Sequence, residues 1–515
     1  VVSLRERFRD VEEIFVEVKG QLMGKVGIGL ILFFIVVSIY SLVAVPSNFP
    51  ELWNNVKYWE KYPKTVPPSW VKYFGVPVAP FVDVELSNAT TSLYLEPKQI
   101  GGVSLFGVVE TFSFNYTLPA DAFPQGVLIY VVNVTNETLR TPRGPLSPKD
   151  VTVIPYVFLY RPDGLVLLLN SPTPVTLADL ATVREPIRFS DKTVGLQLVE
   201  YYSKKGVNMT QTYAQNNAAR LAFGVYDPDT GKIKPLKGTY TIEVVFTYLA
   251  RGVDPRLLVH AVNTGTIGVQ SIEGVVQGNA YGLMGTDDKG RDLYEALLYA
   301  FPIELLIGFV AAVLNVVIGV VVGVVSGYYG GWVDEVIQRT IDIISNIPVL
   351  PILVLIGAAL QREGVSGWGM LWVIIVFLVI LGWGYLALVV RSMTLSIKSE
   401  PYIDAAKAIG ASNTRIILKH VLPQIIPYAM AALVFNVPGA ILTEAGLSVL
   451  GIRHNLPTWG TVLALARDYI SSGGGNYNIW WWILPPGLLM GLMSVAFVFL
   501  GLAMETVVEP RLKRM

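Results

Sequence analysis

An unbroken apolar run at residues 26–45 constrains this chain more than any other feature. A helix needs about 20 residues to cross the hydrocarbon core of a bilayer, and this run supplies them with only small or weakly polar interruptions. It is too long for the h-region of a cleavable signal peptide. The segment before it alternates in charge through Arg5, Glu6, Arg7, Arg9, Asp10, Glu12 and Glu13, which is not the n-region of such a signal. An anchor that stays in the membrane is therefore expected. Five more apolar runs follow in the C-terminal half, at 301–327, 341–360, 371–390, 424–447 and 485–508, which predicts six spans. Pro348, Pro351, Pro427 and Pro438 fall inside them. Such prolines are costly in soluble helices but tolerated in membrane bundles, where neighbours satisfy the freed backbone groups.

Composition agrees and excludes several classes. Hydrophobic residues make up 52% of the 515-residue chain and charged residues 15%, against roughly 25% charged in a soluble domain. The mean hydropathy is +0.51. Lys and Arg (39) balance Asp and Glu (39), so no nucleic-acid partner is implied. Cysteine is absent and the three histidines, His260, His420 and His454, show no ligand spacing; no metal site is expected. No paired carboxylates and no Ser/His/Asp constellation suggest catalysis.

The chain divides by composition into a short arm (1–25), a first transmembrane helix (26–45), an insert (46–281) and a C-terminal core (282–515). No run in the insert is long enough to span. It is rich in Tyr, Thr, Pro, Asn and Val, with strand-like stretches at 126–134, 151–160, 165–169 and 240–249. Pro162-Asp163-Gly164 and Asp227-Pro228-Asp229-Thr230-Gly231 read as turns between strands. A β-rich, sandwich-like domain is expected.

Charge sets the topology. Arg5, Arg7, Arg9, Lys19 and Lys25 precede the first span, Arg391, Lys398, Lys407, Arg415 and Lys419 lie between the fourth and fifth, and Arg511, Lys513 and Arg514 follow the last. Six spans put all three groups on one face, which the positive-inside rule makes cytoplasmic. Both termini are then cytoplasmic and the insert extracytoplasmic. The insert also holds all five N-x-[ST] sequons, at Asn88, Asn115, Asn133, Asn136 and Asn208, candidate N-glycosylation sites on an exported surface.

The stretch 399–423 is helical in composition but too polar to span. Pro401 suits a first helical turn, with Ser399 or Glu400 to cap it, and Asp404 falls where the helix dipole favours an anion. Ala405 and Ala406 present almost no side chain, so a partner can approach the backbone. Gly410 permits a sharp exit. Ser412 can cap a second helix through about His420, and Pro423 is expected to redirect the chain into the next span. From these features alone, an ordinary interfacial hairpin is as good a description as a force-bearing one.

The spacing Asp404-Ala405-Ala406, Gly410, His420-Val421-Leu422-Pro423 resembles the EAA signature of ABC-importer permeases, with Asp for the usual Glu. Further likenesses point to C-type subunits of the dipeptide/oligopeptide branch. These are Gly285-Thr286-Asp287-Asp288-Lys289-Gly290-Arg291-Asp292, Tyr328-Tyr329-Gly330-Gly331-Trp332-Val333-Asp334, Thr443 to Ser448, Pro457-Thr458-Trp459-Gly460, and Glu509-Pro510-Arg511-Leu512. The resemblance covers about 284–515 and the first span, not the insert. It implies a MetI-like permease fold, a mainly α bundle of six spans carrying an inserted extracytoplasmic β-rich domain. It also implies that Tyr402, Asp404, Ala405, Ala406, Ile409, Gly410, Leu422 and Pro423 form the region that couples to an ATPase.

On that resemblance the chain is expected to be a non-catalytic permease subunit in the plasma membrane. It would form half of a path for oligopeptides or oligosaccharides. Its partners would be a second permease subunit, two ATPase subunits that bind ATP and Mg, and an extracytoplasmic solute-binding protein, all within the lipid bilayer's reach. No cofactor is expected in the chain itself. Polar groups inside spans, Glu304, Asn315, Asp342, Asn346, Asn436 and Glu444, are candidates for function. Asn315, Asn346 and Asn436 are placed on the path or between helices; Glu304, Asp342 and Glu444 near span ends. Asp287, Asp288, Arg291 and Asp292 form a structural ion-pair cluster or a gate or receptor contact; the glycines at 285 and 290 lack the lysine of a phosphate loop. Trp480-Trp481-Trp482 reads as an interfacial aromatic belt. The rival classes are an ion-coupled secondary transporter, which should show internal repeats and deep ionisable residues, and a membrane-anchored surface glycoprotein, which needs no six spans.

Overall fold

A computed structural model describes residues 17–119, 121–141, 144–182, 185–474 and 478–508. The arginines of the N-terminal arm, Glu509-Pro510-Arg511-Leu512 and the basic tail lie outside the described residues, as does the side chain of Asn136. The chain folds as two compact units, one of Val1–Val56 with Asp292–Met515 and one of Lys57–Arg291.

The Lys57–Arg291 unit is built on two antiparallel sheets. One runs in the order Val82–Leu86, Ile267–Gln277, Gly126–Asn136, Ile187–Arg188; the other in the order Thr90–Ile100, Val103–Leu118, Gly238–Ala250, Val151–Tyr160, Val166–Leu168. Side chains alternate along a strand with a period of two. In Val103–Leu118 this turns Phe112, Phe114, Tyr116 and Leu118 inward and leaves Ser113, Asn115 and Thr117 outside. Tyr240, Ile242, Val244, Phe246 and Tyr248 face the same core from the next strand, and Val127, Ile129, Ile272 and Val276 close it from the other sheet. Phe112 and Phe246 meet edge to face at 6.1 Å.

The expected turns are present: Arg161–Leu165 joins Val151–Tyr160 to Val166–Leu168, and Asp227–Gly231 joins two paired strands. The unit also contains helices that strand-biased composition did not reveal. Asp191–Lys204 is capped by Ser190, and Pro255–Asn263 by Asp254; their buried Val194, Leu198, Leu258 and Val262 join the same core.

In the other unit, five helices are long and apolar enough to cross a membrane: Leu22–Ala44, Leu293–Tyr329, Gly367–Lys398, Asn413–Val449 and Trp480–Glu505. A sixth span at 341–360 is not a straight helix. Gly331–Ser345 and Val349–Arg362 meet at 73°. Pro348 stands at the break, where it withholds a backbone N–H and disfavours helical geometry in Ile347 before it. The pair is one broken span or a re-entrant segment.

Gly319, Gly323 and Gly327 recur every fourth residue of Leu293–Tyr329. A Cβ on each would lie 3.0 Å from Leu386 Cβ, 2.6 Å from the Ala387 carbonyl oxygen and 2.7 Å from the Arg391 carbonyl oxygen. This small-residue stripe lets Gly384–Lys398 approach closely, the packing mode that replaces hydrophobic burial inside lipid. Large apolar side chains on the outer faces, such as Phe309, Val317 and Val321, stay exposed, as lipid contact requires.

Candidate functional site

Helix Gly384–Lys398 ends in the turn Ser399–Glu400, and Pro401 opens the short helix Pro401–Ala408. The expected side-chain cap is absent: Glu400 occupies the cap position without a side-chain bond, and the Ser399 hydroxyl donates back to the Ser396 carbonyl. Gly410 takes φ +85. Its N–H donates to the Lys407 carbonyl at 2.9 Å, and the Ala411 N–H to Ala406 at 3.0 Å, which closes the helix end. Ser412 then accepts from the Arg415 N–H and starts Asn413–Ile416.

Pro423 does not redirect the chain. Asn413–Ile416 passes through one π turn, Ile417–Val421, straight into Leu422–Val449. An α-helical turn would press the Pro423 ring onto the Lys419 carbonyl and leave an N–H missing. The π turn, in which Leu422 N–H reaches back to Ile417, relieves that clash. The hairpin is thus one short helix attached to the foot of a long span.

Its two faces differ. Ile403 is fully buried and Ala406 nearly so, packed in one cluster with Val316, Val320, Tyr328, Val390, Ile416, Val421 and Ile425. Ala406 is therefore part of the seat, not of the outer ridge expected from its size. Asp404, Ala405, Lys407, Ala408, Ile409 and Pro423 face outward, with Leu422 half-buried. Ile409 is 86% exposed, the most exposed large side chain of the hairpin. Lys407 Nζ holds Asp404 Oδ1 at 3.0 Å. Tyr402 is pinned by Gln424 Nε2, which donates to its hydroxyl at 2.6 Å, and its ring lies 6.1 Å from that of His420. The Tyr328 hydroxyl donates to Asn413 Oδ1 at 3.0 Å. Asp334, in the first turn of the helix Gly331–Ser345, is chelated by the Arg391 guanidinium and accepts from Ser326. An outer ridge of small and apolar groups (Ala405, Ala408, Ile409) beside the Asp404–Lys407 pair thus stands on a foot anchored to three helices.

The other expected sites separate. Asn315 is buried, and a Cβ on Gly382 would come within 2.7 Å of its amide. Asn346 is exposed and donates to the Asp342 carbonyl at 2.6 Å; Asn436 donates to Ala432 at 2.8 Å. No hydrogen bond among the described residues joins the three. Asp287 and Arg291 form a buried ion pair, and Asp287 Oδ1 accepts the N–H groups of Lys289 and Arg291. Burial pushes the Asp287 carboxyl up, with the guanidinium opposing. Both side chains are buried in this pair, the geometry of the structural ion-pair cluster that is one of the two expectations for them. Asp288 is half-buried, and Asp292 caps Leu293–Tyr329 through the Tyr294 N–H at 2.8 Å. Trp481 and Trp482 are buried, with Trp482 Nε1 donating to the Val462 carbonyl at 3.0 Å. They are core residues rather than an interfacial belt.

Glu304 and Glu444 point into the bundle rather than outward. Both are fully buried, and sequence spacing could not bring them together because 140 positions separate them (444 − 304). Glu444 Oε1 accepts from Ser448 Oγ at 2.9 Å, His454 Nε2 at 2.9 Å and Thr458 Oγ1 at 3.1 Å. Glu304 Oε1 accepts the Trp459 N–H at 3.0 Å. His454, which showed no ligand spacing, belongs here.

Known transport proteins share much of the C-terminal half of the chain. The family model described as binding-protein-dependent transport system inner membrane component matches residues 319–514. The dipeptide transport system permease protein of Bacillus subtilis is 32% identical over 273 residues, covering 53% of this chain and 80% of that protein. The oligopeptide transport system permease protein of the same organism is 32% identical over 232 residues, covering 45% and 72%. Among solved structures, the MetNI methionine ABC transporter in an inward-facing conformation aligns at 21% identity and TM-score 0.31, over 40% of this chain and 91% of that one; a score that low carries no weight here. The fold defines an integral membrane protein of several apolar helices. The chain belongs to the family of inner membrane components of binding-protein-dependent transport systems.

Proposed function

We propose that the chain is a permease subunit of an ATP-driven importer of peptides. It forms half of the path with a second permease subunit, while two ATPase subunits bind ATP and Mg and drive it from the cytoplasm. The exposed ridge Asp404, Ala405, Ala408 and Ile409 carries this proposal, because it projects small and apolar groups from a rigid seat (Ile403, Ala406) into solvent. A partner that grips this ridge acts on the long span Asn413–Val449 through the short turn Gly410–Ser412 and the shared seat of Ile403, Ala406, Ile416 and Val421. The names of the relatives reported above favour peptides over the oligosaccharides expected as an alternative.

Six spans follow if the bent pair counts as one, with both termini cytoplasmic and residues 46–281 extracytoplasmic. The outside placement is supported by Asn88, Asn115, Asn133 and Asn208, all exposed on the insert. Asn115 Oδ1 and Asn133 Nδ2 bond to neighbouring side chains, so glycans fit more easily at Asn88 and Asn208. A binding protein delivers substrate on that side, and the insert is its docking platform. Asn346 and Asn436 each donate one turn back. That leaves their amide oxygens available to a passing substrate.

Reconstitution tests the proposal. Proteoliposomes holding the chain, its second permease and ATPase subunits and its binding protein should accumulate labelled oligopeptide only with ATP inside. Uptake without ATP would turn the reading toward a secondary transporter. Deleting residues 50–278 should abolish capture of the binding protein; unchanged affinity would remove the docking role.

A further inference from the structure

The span Leu293–Tyr329, the span Asn413–Val449 and the segment 450–461 converge on a buried polar node. Glu304 and Glu444 are both 0% exposed. Each has one carboxyl oxygen, Oε2, buried and without a hydrogen-bond partner among the described residues. Two anions in such a place would be prohibitively costly unless neutralised. No Lys or Arg among the described residues pairs with either. Arg453, adjacent to His454, gives one guanidinium nitrogen, Nη2, to Asp468 and keeps its buried Nε without a partner among the described residues, and Arg467 donates to the Val449 carbonyl and to Asp468. The other groups facing the node are the hydroxyls of Ser448, Thr458 and Thr461 and the ring of His454.

Hydrogen-bond accounting assigns the charges. His454 Nδ1 accepts the Leu456 N–H at 3.2 Å, so this nitrogen carries no proton and the ring is neutral. Its Nε2–H then donates to Glu444 Oε1. With the Ser448 and Thr458 hydroxyls, that oxygen collects three donors, the arrangement that favours a carboxylate. Glu304 collects one, the Trp459 N–H. The same three-element junction holds the segment 450–461 in place: Trp459 Nε1 donates to the Leu297 carbonyl at 3.1 Å and Gly367 N–H to the His454 carbonyl at 2.5 Å.

We propose that the node is a proton-binding site, with Glu304 held as the neutral acid carrying its proton on Oε2, Glu444 as the single anion and His454 as a neutral donor. The proton is what allows the two carboxyls to share a buried site and the segment 450–461 to stay docked against both spans.

Difference infrared spectroscopy on the purified full chain in its complex reads this directly. Wild type minus E304Q should lose one protonated-carboxyl carbonyl band at neutral pH, and wild type minus E444Q should lose none. Asp292 and Glu110 cancel in both differences. The thermal midpoints should be asymmetric. Glutamine imitates a neutral acid at 304, so E304Q should melt within a few degrees of wild type; E444Q, which removes the anion that three donors address, should melt well below it. A band lost in E444Q instead, no band lost in either, or equal effects on melting would overturn the assignment. A band that appears only when sodium is replaced by choline would mean a bound cation, and would overturn it too.

Discussion

Gly410→Ala isolates the backbone geometry on which the hairpin depends. At φ +85 an alanine is strained, yet the added Cβ would find nothing within 4 Å, so no clash complicates the result. The left-handed conformation costs an L-residue about 1–2 kcal/mol, a factor of about 5–30 in the population of the closed turn. The amides that the turn protects are those of residues 410 and 411, bonded to Lys407 and Ala406. Hydrogen exchange on the purified complex should show these two amides faster by about fivefold to thirtyfold, with amides of Leu293–Tyr329 unchanged. Asparagine tolerates this region of backbone space better than alanine, so G410N should fall between the two, and ATP-driven uptake should follow the same order. Unchanged exchange in G410A, or G410N behaving worse than G410A, would refute the reasoning.

Three further outcomes are expected. Ile409→Asp should weaken ATPase co-purification by about 10- to 100-fold, the value of burying one large aliphatic side chain, while leaving the melting temperature unchanged because Ile409 touches little within the chain. Gly382→Ala drives a methyl onto Asn315 and should cost about 1–3 kcal/mol, with Asn315→Ala restoring the melting temperature. In the insert, burial pushes Glu110 from its ordinary 4.5 up to about 7, against the bonds from the Tyr248 hydroxyl and the Val269 N–H. The folded state binds that proton more tightly, so its contribution is complete below about pH 4.5 and is lost as pH rises through about 7. The difference is on the order of 3 kcal/mol. Glu110→Gln should flatten that slope in a pH series of thermal midpoints.

Much of this was legible in the chain. The spans announce themselves by length and apolarity, and Pro401, Gly410 and Ser412 mark the hairpin's start, exit and second cap one residue at a time. The turn at Asp163-Gly164 was legible for the same local reason. What escaped depends on which way a residue faces once distant segments meet. Ala405 and Ala406 look alike in sequence, but Ala406 rotates onto Ile416 and Ile425. Glu304 and Glu444 lie on the long helices Leu293–Tyr329 and Leu422–Val449, but their burial depends on the segment 450–461 that bonds to both, which spacing along one helix does not reveal. The π turn before Pro423 answers a clash that no propensity describes. The stripe Gly319, Gly323, Gly327 was readable from spacing alone, and would have located the Gly384–Lys398 contact.

The hairpin's role is tested most directly by cross-linking. The chain has no cysteine, so Ile409→Cys introduces a single thiol at the most exposed point of the ridge. If the ridge transmits the work of the ATPase, that thiol should cross-link to an ATPase subunit, block ATP-driven peptide uptake while linked, and release it on reduction. A thiol at Ile409 that reacts only with solvent reagents, or a linked complex that transports at full rate, would contradict that role.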